Sequence, residues 1–320
     1  MTRKLRIATR GSALALAQTG MIAAELTRLT GADVTITVVT TEGDTSRASL
    51  ASIGGTGVFA SALRASLVAG DCDLVVHSLK DLPTAAYPGL VLGAVPLRED
   101  PRDALCSRDG LALADLPEGA RIGTGSPRRV AQLLSLRPDA TVVDIRGNVD
   151  TRLAKVSSGE LDAVVLAAAG LTRLGRLDAV SEFFDLSVWP TAPGQGALAI
   201  EAREEDSIPE LMQIQHSGTR IGIAAERAVL AALEAGCSAP IGASSTLDGD
   251  TLTLTAVVYS ADGSAELGST QSVTLESLGG SGVGALAGGE AAAVGLGSAI
   301  AAQLLADGAG ELAQLGAGIR

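Results

Sequence analysis

Short apolar runs and amphipathic stretches take turns along the first two thirds of the chain. Leu5 to Thr9 reads as a buried strand ending at Arg10, with Ser12 as N-cap of an Ala/Leu-rich helix reaching about Leu29. Val34 to Val39 alternates with Thr at the strand period. A polar, glycine-rich stretch from Thr41 to Gly57 is long enough to expect a functional loop. A helix from Val58 to Ala69 then leads to Leu74-Val75-Val76, a run suited to a buried strand, which delivers His77-Ser78-Leu79-Lys80-Asp81 to its C-terminal end.

The pattern starts again at Arg121-Ile122-Gly123-Thr124, a strand, with Ser126 as cap and Pro127 as first residue of a helix to Leu136. Thr141 to Ile145, a helix around Val149 to Val156, and Ala163 to Leu166 continue the alternation. Units of this kind predict parallel sheets flanked by helices, here two doubly wound α/β lobes split near Pro96 to Pro101 and again near Pro190 to Gly196. Ala197 to Ile200 is then a strand returning to the first lobe. After a helix from Thr219 to Glu234 the texture changes. Asp248-Gly249-Asp250 and Asp262-Gly263-Ser264 separate alternating Thr/Leu/Val runs, which predicts antiparallel hairpins. Gly279 to Gly288 reads as a flexible loop and Glu290 to Ala306 as a closing helix, so the last part is a smaller α+β domain.

A chain of 320 residues with 47% apolar residues suits two or three domains, each with its own core. Aromatics at 2% and a net charge of −12 argue against a nucleic-acid partner, which would need stacking platforms and bulk positive charge. Any anion site must be local. Three cysteines without CxxC spacing and two histidines exclude a disulfide framework and a zinc site as expectations. The basic start, Met1 to Arg6, leads into no apolar signal core, and no stretch reads as a transmembrane span, so the expectation is a cytoplasmic protein with no membrane partner.

Positive charge stops at Arg227, and the 92 residues that follow hold no Lys or Arg until Arg320. Before that point arginines recur in Gly/Ser/Thr-flanked segments: Arg10-Gly11-Ser12, Thr124-Gly125-Ser126-Pro127-Arg128-Arg129 and Arg146-Gly147-Asn148. All three fall at strand ends or helix starts, where open α/β sheets bind ligands and helix N-termini expose unpaired N–H groups. Guanidinium groups grip carboxylates with two parallel bonds, so converging arginines fit a ligand rich in carboxylates. A lone Arg is ordinarily a solvated or salt-bridged side chain; the clustering of Arg128 and Arg129 beside Thr124 and Ser126 favours a site. Asp81, fixed between Lys80 and Leu82-Pro83, suits an acid or a cation stabiliser at the mouth of that site. Cys237, in Gly236-Cys237-Ser238-Ala239-Pro240, lies in a loop-like setting rather than in a core run, and its thiol can serve as a covalent handle. Gly54-Gly55-Thr56-Gly57 matches neither a P-loop nor G-x-G-x-x-G.

Taken in order, Arg6 to Ser12, Val76 to Pro83, Arg98 to Ala104, Gly123 to Arg129, Arg146 to Val149, Ala169-Gly170-Leu171 with Arg173, Pro193 to Ala197, Ala225-Glu226-Arg227 and Leu233 to Cys237 resemble the porphobilinogen deaminases, also called hydroxymethylbilane synthases. The resemblance runs from residue 6 to about 242. It implies three domains: 1–98 with 196–216, and 99–195, both like lobes of periplasmic binding proteins, and 217–320 carrying the cysteine. It also implies a transferase acting in tetrapyrrole biosynthesis as a monomer. That enzyme joins four molecules of porphobilinogen head to tail on a dipyrromethane cofactor attached through a thioether to Cys237, releases ammonia at each addition, and frees hydroxymethylbilane by hydrolysis. By matching positions, Arg10, Arg128, Arg129, Arg146, Arg152 and Arg173 bind the acetate and propionate groups. Ser12, Ser78, Lys80, Thr124, Ser126 and Gln195 assist, and Phe59 matches an aromatic near the site. Asp81 stabilises the cation left as ammonia departs. Glu42 stands where many members have Arg, and Ser52 and Thr56 replace lysines. Two rivals of other kinds are a two-lobed binding module for a small carboxylate, which gives Cys237 no role, and a thiol-dependent acyl transferase, for which His77 and Cys237 offer no recognisable dyad.

Overall fold

A computed structural model describes residues 3–40, 58–235, 239–275 and 283–315. The chain divides into two compact units, residues 1–99 with 196–220 and residues 100–195 with 221–320.

The first unit holds β1 (Lys4–Thr9), α1 (Ala13–Thr30), β2 (Asp33–Val38), α2 (Val58–Val68), β3 (Leu74–Ser78), β4 (Leu90–Ala94) and, returning after residue 195, β5 (Leu198–Arg203). Its sheet runs β2-β1-β3-β5-β4. The β1 strand pairs in parallel with β2 and β3, while β5 is antiparallel to β3 and β4. Leu5, Ile7, Leu74, Val76 and Ile200 are buried with Leu26 of α1, and Ala8 and Val75 face Leu63 and Leu67 of α2. Each fully buried Leu, Ile or Val of this kind contributes about 1.5–3 kcal/mol relative to exposure. Local signals set the ends of α1. Ser12 accepts a hydrogen bond from Ala15 N–H at the start, and Gly31 closes the helix at φ 69° with its N–H donating to Thr27.

The second unit begins with a sheet of the same design. It comprises β6 (Asp103–Ser107), β7 (Arg121–Gly123), α3 (Pro127–Leu136), β8 (Thr141–Val143), α4 (Val149–Ser157), β9 (Ala163–Ala167), α5 (Ala168–Arg173) and β10 (Glu182–Phe183), in the order β8-β7-β9-β6-β10. Here β7 is parallel to β8 and β9, and β6 antiparallel to β9 and β10. Both lobes therefore have mixed rather than wholly parallel sheets. Strand alternation predicted the βα units; the antiparallel member of each sheet, β5 or β6, is the first strand after the chain passes from one unit to the other, which alternation does not encode.

The rest of the second unit is a three-stranded antiparallel sheet, β11 (Ile241–Asp248), β12 (Thr251–Tyr259) and β13 (Glu266–Thr274), packed with α7 (Val283–Ala306) and α8 (Ala309–Leu312). Helix α6 (Ser217–Ala232) crosses the boundary between the units and lends Ile221, Ala225 and Val229 to this core. The hairpins turn at Gly249 and Gly263, both at positive φ, as the Asp-Gly pairs predict. One expectation is corrected. Residues 283–288, taken as a flexible loop, form the first turns of α7. A Cβ on Gly284 or Gly288 would meet nothing within 4 Å, whereas further along α7 one on Gly289 would lie 2.6 Å from Ile221 Cδ1 and one on Gly297 2.3 Å from Ala225 O, so small residues at those two positions let α7 and α6 approach. The segment Gly284–Ala306 is long and apolar enough to cross a membrane, with a mean hydropathy of 1.4, yet Ala293, Leu296, Ile300 and Leu304 are buried in this core.

Candidate active site

In the first unit a pocket opens at the C-terminal ends of β1 and β3. Arg10, Ser12, Gln18, His77, Ser78 and Asp81 line it. Arg10 and Ser12 are there because β1 ends in Thr9 and α1 starts at Ala13; Ser78 and Asp81 because β3 ends in Ser78 and a 3₁₀ turn over Leu79–Asp81 follows. The buried Leu79 pins that turn, its N–H donating to Ala197 O at 3.0 Å, and Leu82 N–H closes it on Leu79 O at 3.0 Å. Asp81 is thus exposed on a fixed backbone. The Gln18 amide and Ser78 hydroxyl bond at 3.0 Å across the pocket wall. Lys80 is half-buried in the same turn and does not line the pocket.

Behind the wall lies a charged cluster that sequence reasoning missed. Glu201 of β5 takes a bidentate grip from Arg64 of α2, at 2.9 and 2.7 Å, and pairs with His77 Nε2 at 3.0 Å. Burial pushes the Glu201 carboxyl up, but His77 and Arg64 hold it down at about 2. The available signal was a carboxylate inside the apolar run Leu198 to Ala202, which must find a cation.

In the second unit, Thr124 is fully buried after β7, its N–H bonded to Val143 O and its hydroxyl accepting from Ser126 N–H at 3.2 Å. Gly125 between them has no room for a side chain: a Cβ would lie 2.7 Å from Ile145 O. That contact brings the Thr124–Ser126 loop against the segment bearing Arg146. Gly147 then turns at φ 110° and Asn148 caps α4 by accepting from Thr151 N–H at 2.8 Å. Ser126 caps α3 by backbone position without a side-chain bond to the helix. Arg152 Nε donates to Gly147 O at 2.9 Å. Burial lowers its guanidinium pKa and the neighbouring charges of Arg129 and Arg146 lower it further, with Asp144 opposing. Three of the predicted arginines therefore share one electrostatic environment. Arg173 ends α5, half-buried.

Arg128 and Arg129 hold a partner that sequence reasoning left without a role. Asp103, fully buried at the start of β6, takes Arg128 Nη2 at 2.9 Å and Arg129 Nη2 at 2.6 Å. Trp189 Nε1 and Gln195 Nε2 also donate to it, at 2.8 and 2.7 Å. Burial pushes the Asp103 carboxyl up; the two guanidinium groups and these hydrogen bonds bring it far below the carboxylate range. Arg128 spends its other nitrogen on Gln132 Oε1 and Pro190 O, and Arg129 on Val165 O. Both are nearly inaccessible, at 3% and 6% exposure. An Asp directly before the apolar run Ala104-Leu105-Cys106 was the clue, for the same reason as at Glu201.

Residues 5–210 match the family model described as porphobilinogen deaminase, dipyromethane cofactor binding domain, and residues 221–306 the one described as its C-terminal domain. The chain belongs to the porphobilinogen deaminase family. It is 58% identical over 317 residues to a porphobilinogen deaminase of Leifsonia xyli subsp. xyli, covering 97% of this chain and 94% of that one. With the porphobilinogen deaminase of Thermobifida fusca it shares 54% over 278 residues, 86% and 87% of the two chains. Among solved structures, a periplasmic substrate-binding protein from Coxiella burnetii aligns over 66% of this chain and 89% of its own, at 15% identity and a TM-score of 0.42. The cofactor of a porphobilinogen deaminase is dipyrromethane. Cys237, expected to carry it, lies outside the described residues, as do Glu42, Ser52 and Thr56; Phe59 lies in the first turn of α2.

A third buried carboxylate is Glu226 of α6. It accepts from Gly194 N–H at 2.7 Å and from Ser245 N–H and Oγ at 3.0 and 2.7 Å. This ties the Pro193-Gly194-Gln195-Gly196 segment to the core of the C-terminal sheet.

Proposed function

We propose that this chain is a hydroxymethylbilane synthase, a transferase that takes four molecules of porphobilinogen, joins them head to tail on a dipyrromethane bound through a thioether to Cys237, and hydrolyses the product free. The carrying observation is that the family's matched residues, distant in sequence, meet in one pocket: Arg10, Ser12 and Ser78 with Asp81. The roles fall to three domains, 1–98 with 196–216, 99–195, and 217–320.

Each pyrrole carries an acetate and a propionate, and arginines present fit such groups. Arg10 offers its charge in the pocket of the first lobe; Arg129, Arg146 and Arg152 crowd one region of the second, where a carboxylate would relieve their repulsion. Arg173, Lys80, Ser126 and Thr124 stand at the neighbouring strand and helix ends and serve the same groups. The cofactor, when bound, supplies the anchored ring to which the first substrate joins. In each addition the C–N bond within the aminomethyl group breaks, ammonia leaves, and its methylene carbon bonds to the ring ahead, which loses a proton. Asp81 is the anion beside the cation formed as ammonia departs, and its exposed carboxylate on a pinned turn suits that task. The protein acts as a monomer in the cytoplasm.

Turnover tests this assignment. Porphobilinogen consumption by the purified chain, with ammonia release, supports it. An Asp81→Asn variant that consumes porphobilinogen at the normal rate contradicts the role given to Asp81.

A further inference from the structure

A buried polar chain in the second unit links the C-terminal sheet to the arginines of the second lobe. Tyr259, at the end of β12 and 3% exposed, meets Gln132 Nε2 through its hydroxyl at 3.1 Å. Gln132 Nε2 also donates to Pro190 O at 2.9 Å, and its Oε1 accepts from Arg128 Nη1 at 2.6 Å. Arg128 passes to Asp103, and Asp103 to Arg129. Tyr259, Gln132, Arg128, Asp103 and Arg129 are all nearly or fully buried, so each bond is made in a low dielectric and each partner has few alternatives.

A second contact reaches the same helix. The turn after β12 packs against the backbone of α3 so closely that a Cβ on Gly263 would lie 2.3 Å from Ala131 O and 2.8 Å from Ser135 N, at a φ of 69°. The hairpin of β12 and β13 therefore fixes α3 twice, once by its turn and once by Tyr259. The helix carries Arg128 and Arg129 in its first turn. Arg129 in turn belongs to the charged environment of Arg146 and Arg152.

We propose that Tyr259 is a positioning residue for substrate binding. Its hydroxyl orients the Gln132 amide, which sets the plane of the Arg128 guanidinium; Arg128 and Asp103 then hold Arg129, whose charge adds to that of Arg146 and Arg152 where a substrate carboxylate binds. Arg128 is on this account the support of Arg129 rather than a second grip. The inference rests on the reading of the chain as a deaminase and extends it to a residue outside the pocket. Interactions with remote carboxylates hold substrate and transition state alike, so their loosening raises KM and leaves kcat, which depends on Asp81.

The test compares steady-state kinetics of the full-length wild type with Tyr259→Phe, which keeps the ring and removes the hydroxyl, and with Gly263→Ala, which displaces the turn. Tyr259→Phe is expected to raise the KM for porphobilinogen about three- to tenfold, the worth of one hydrogen bond, with kcat within about twofold and the melting temperature nearly unchanged. Gly263→Ala is expected to move KM in the same direction. A Tyr259→Phe protein with normal KM overturns the proposal, as does one with lowered kcat at normal KM. Loss of folding in that variant also overturns it, because the hydroxyl would then serve stability alone. A wild type that leaves porphobilinogen untouched instead refutes the functional reading beneath it.

Discussion

Asp103 and Asp81 are both carboxylates near arginines, and their surroundings give them opposite tasks. Asp103 is enclosed between Arg128 and Arg129 and has no exposure, so truncation leaves two buried guanidinium groups without their anion. Asp103→Ala is expected to lose about 3–5 kcal/mol of stability, read from urea unfolding. Asp81 is exposed and needs no rescue from burial. Asp81→Asn is expected to stay within about 0.5 kcal/mol of wild-type stability while turnover falls by at least about a hundredfold. Equal losses of stability in the two variants would contradict this division. Asp81 stood out in the sequence because its setting, between a lysine and Leu-Pro at a strand end, is a local pattern. It gave Asp103 and Glu201 no role because the cations that pair them come from residues 25 to 137 positions away.

Elements with strong local punctuation were legible: Ser12 before α1, Ser126-Pro127 before α3, Gly147-Asn148 before α4, and the Asp-Gly turns of the C-terminal sheet. Helix α7 was legible only in part, since its first glycines read locally as loop, although Gly289 and Gly297 are set by packing against α6. Two of them separate the effects. A Cβ on Gly297 meets Ala225 O at 2.3 Å, whereas one on Gly295 meets nothing within 4 Å. Gly297→Ala is expected to destabilise by about 1–3 kcal/mol through overpacking. Gly295→Ala is expected to stabilise by up to about 1 kcal/mol through helix propensity. Thermal unfolding of the two variants checks the pair, and effects of the same sign would show that packing against α6 does not select the glycines.

For the molecule as a whole, acid sensitivity follows from its buried carboxylates. The Glu201 carboxyl sits at about 2 against an ordinary value of 4.5, so folding favours its charged form. Its contribution is fully present above pH 4.5 and fades as pH falls toward about 2, when His77 and Arg64 lose their partner. The midpoint of urea unfolding is expected to drop across that window in the wild type and to change less in Glu201→Gln. The charge boundary at Arg227 has a counterpart in this arrangement. Arginines of the two lobes occupy strand and helix ends, and the segment that follows contributes a core, the Tyr259 support and the cysteine-bearing stretch. By this division the protein is inferred to build a pyrrole chain on a thiol. Intact-mass spectrometry of the purified protein, before and after incubation with porphobilinogen, tests it most directly. The expected result is a protein heavier than its sequence by a dipyrromethane, lost in Cys237→Ser, and a ladder of masses each raised by one porphobilinogen less ammonia. A protein that turns over porphobilinogen at its unmodified mass, with no ladder, would contradict it.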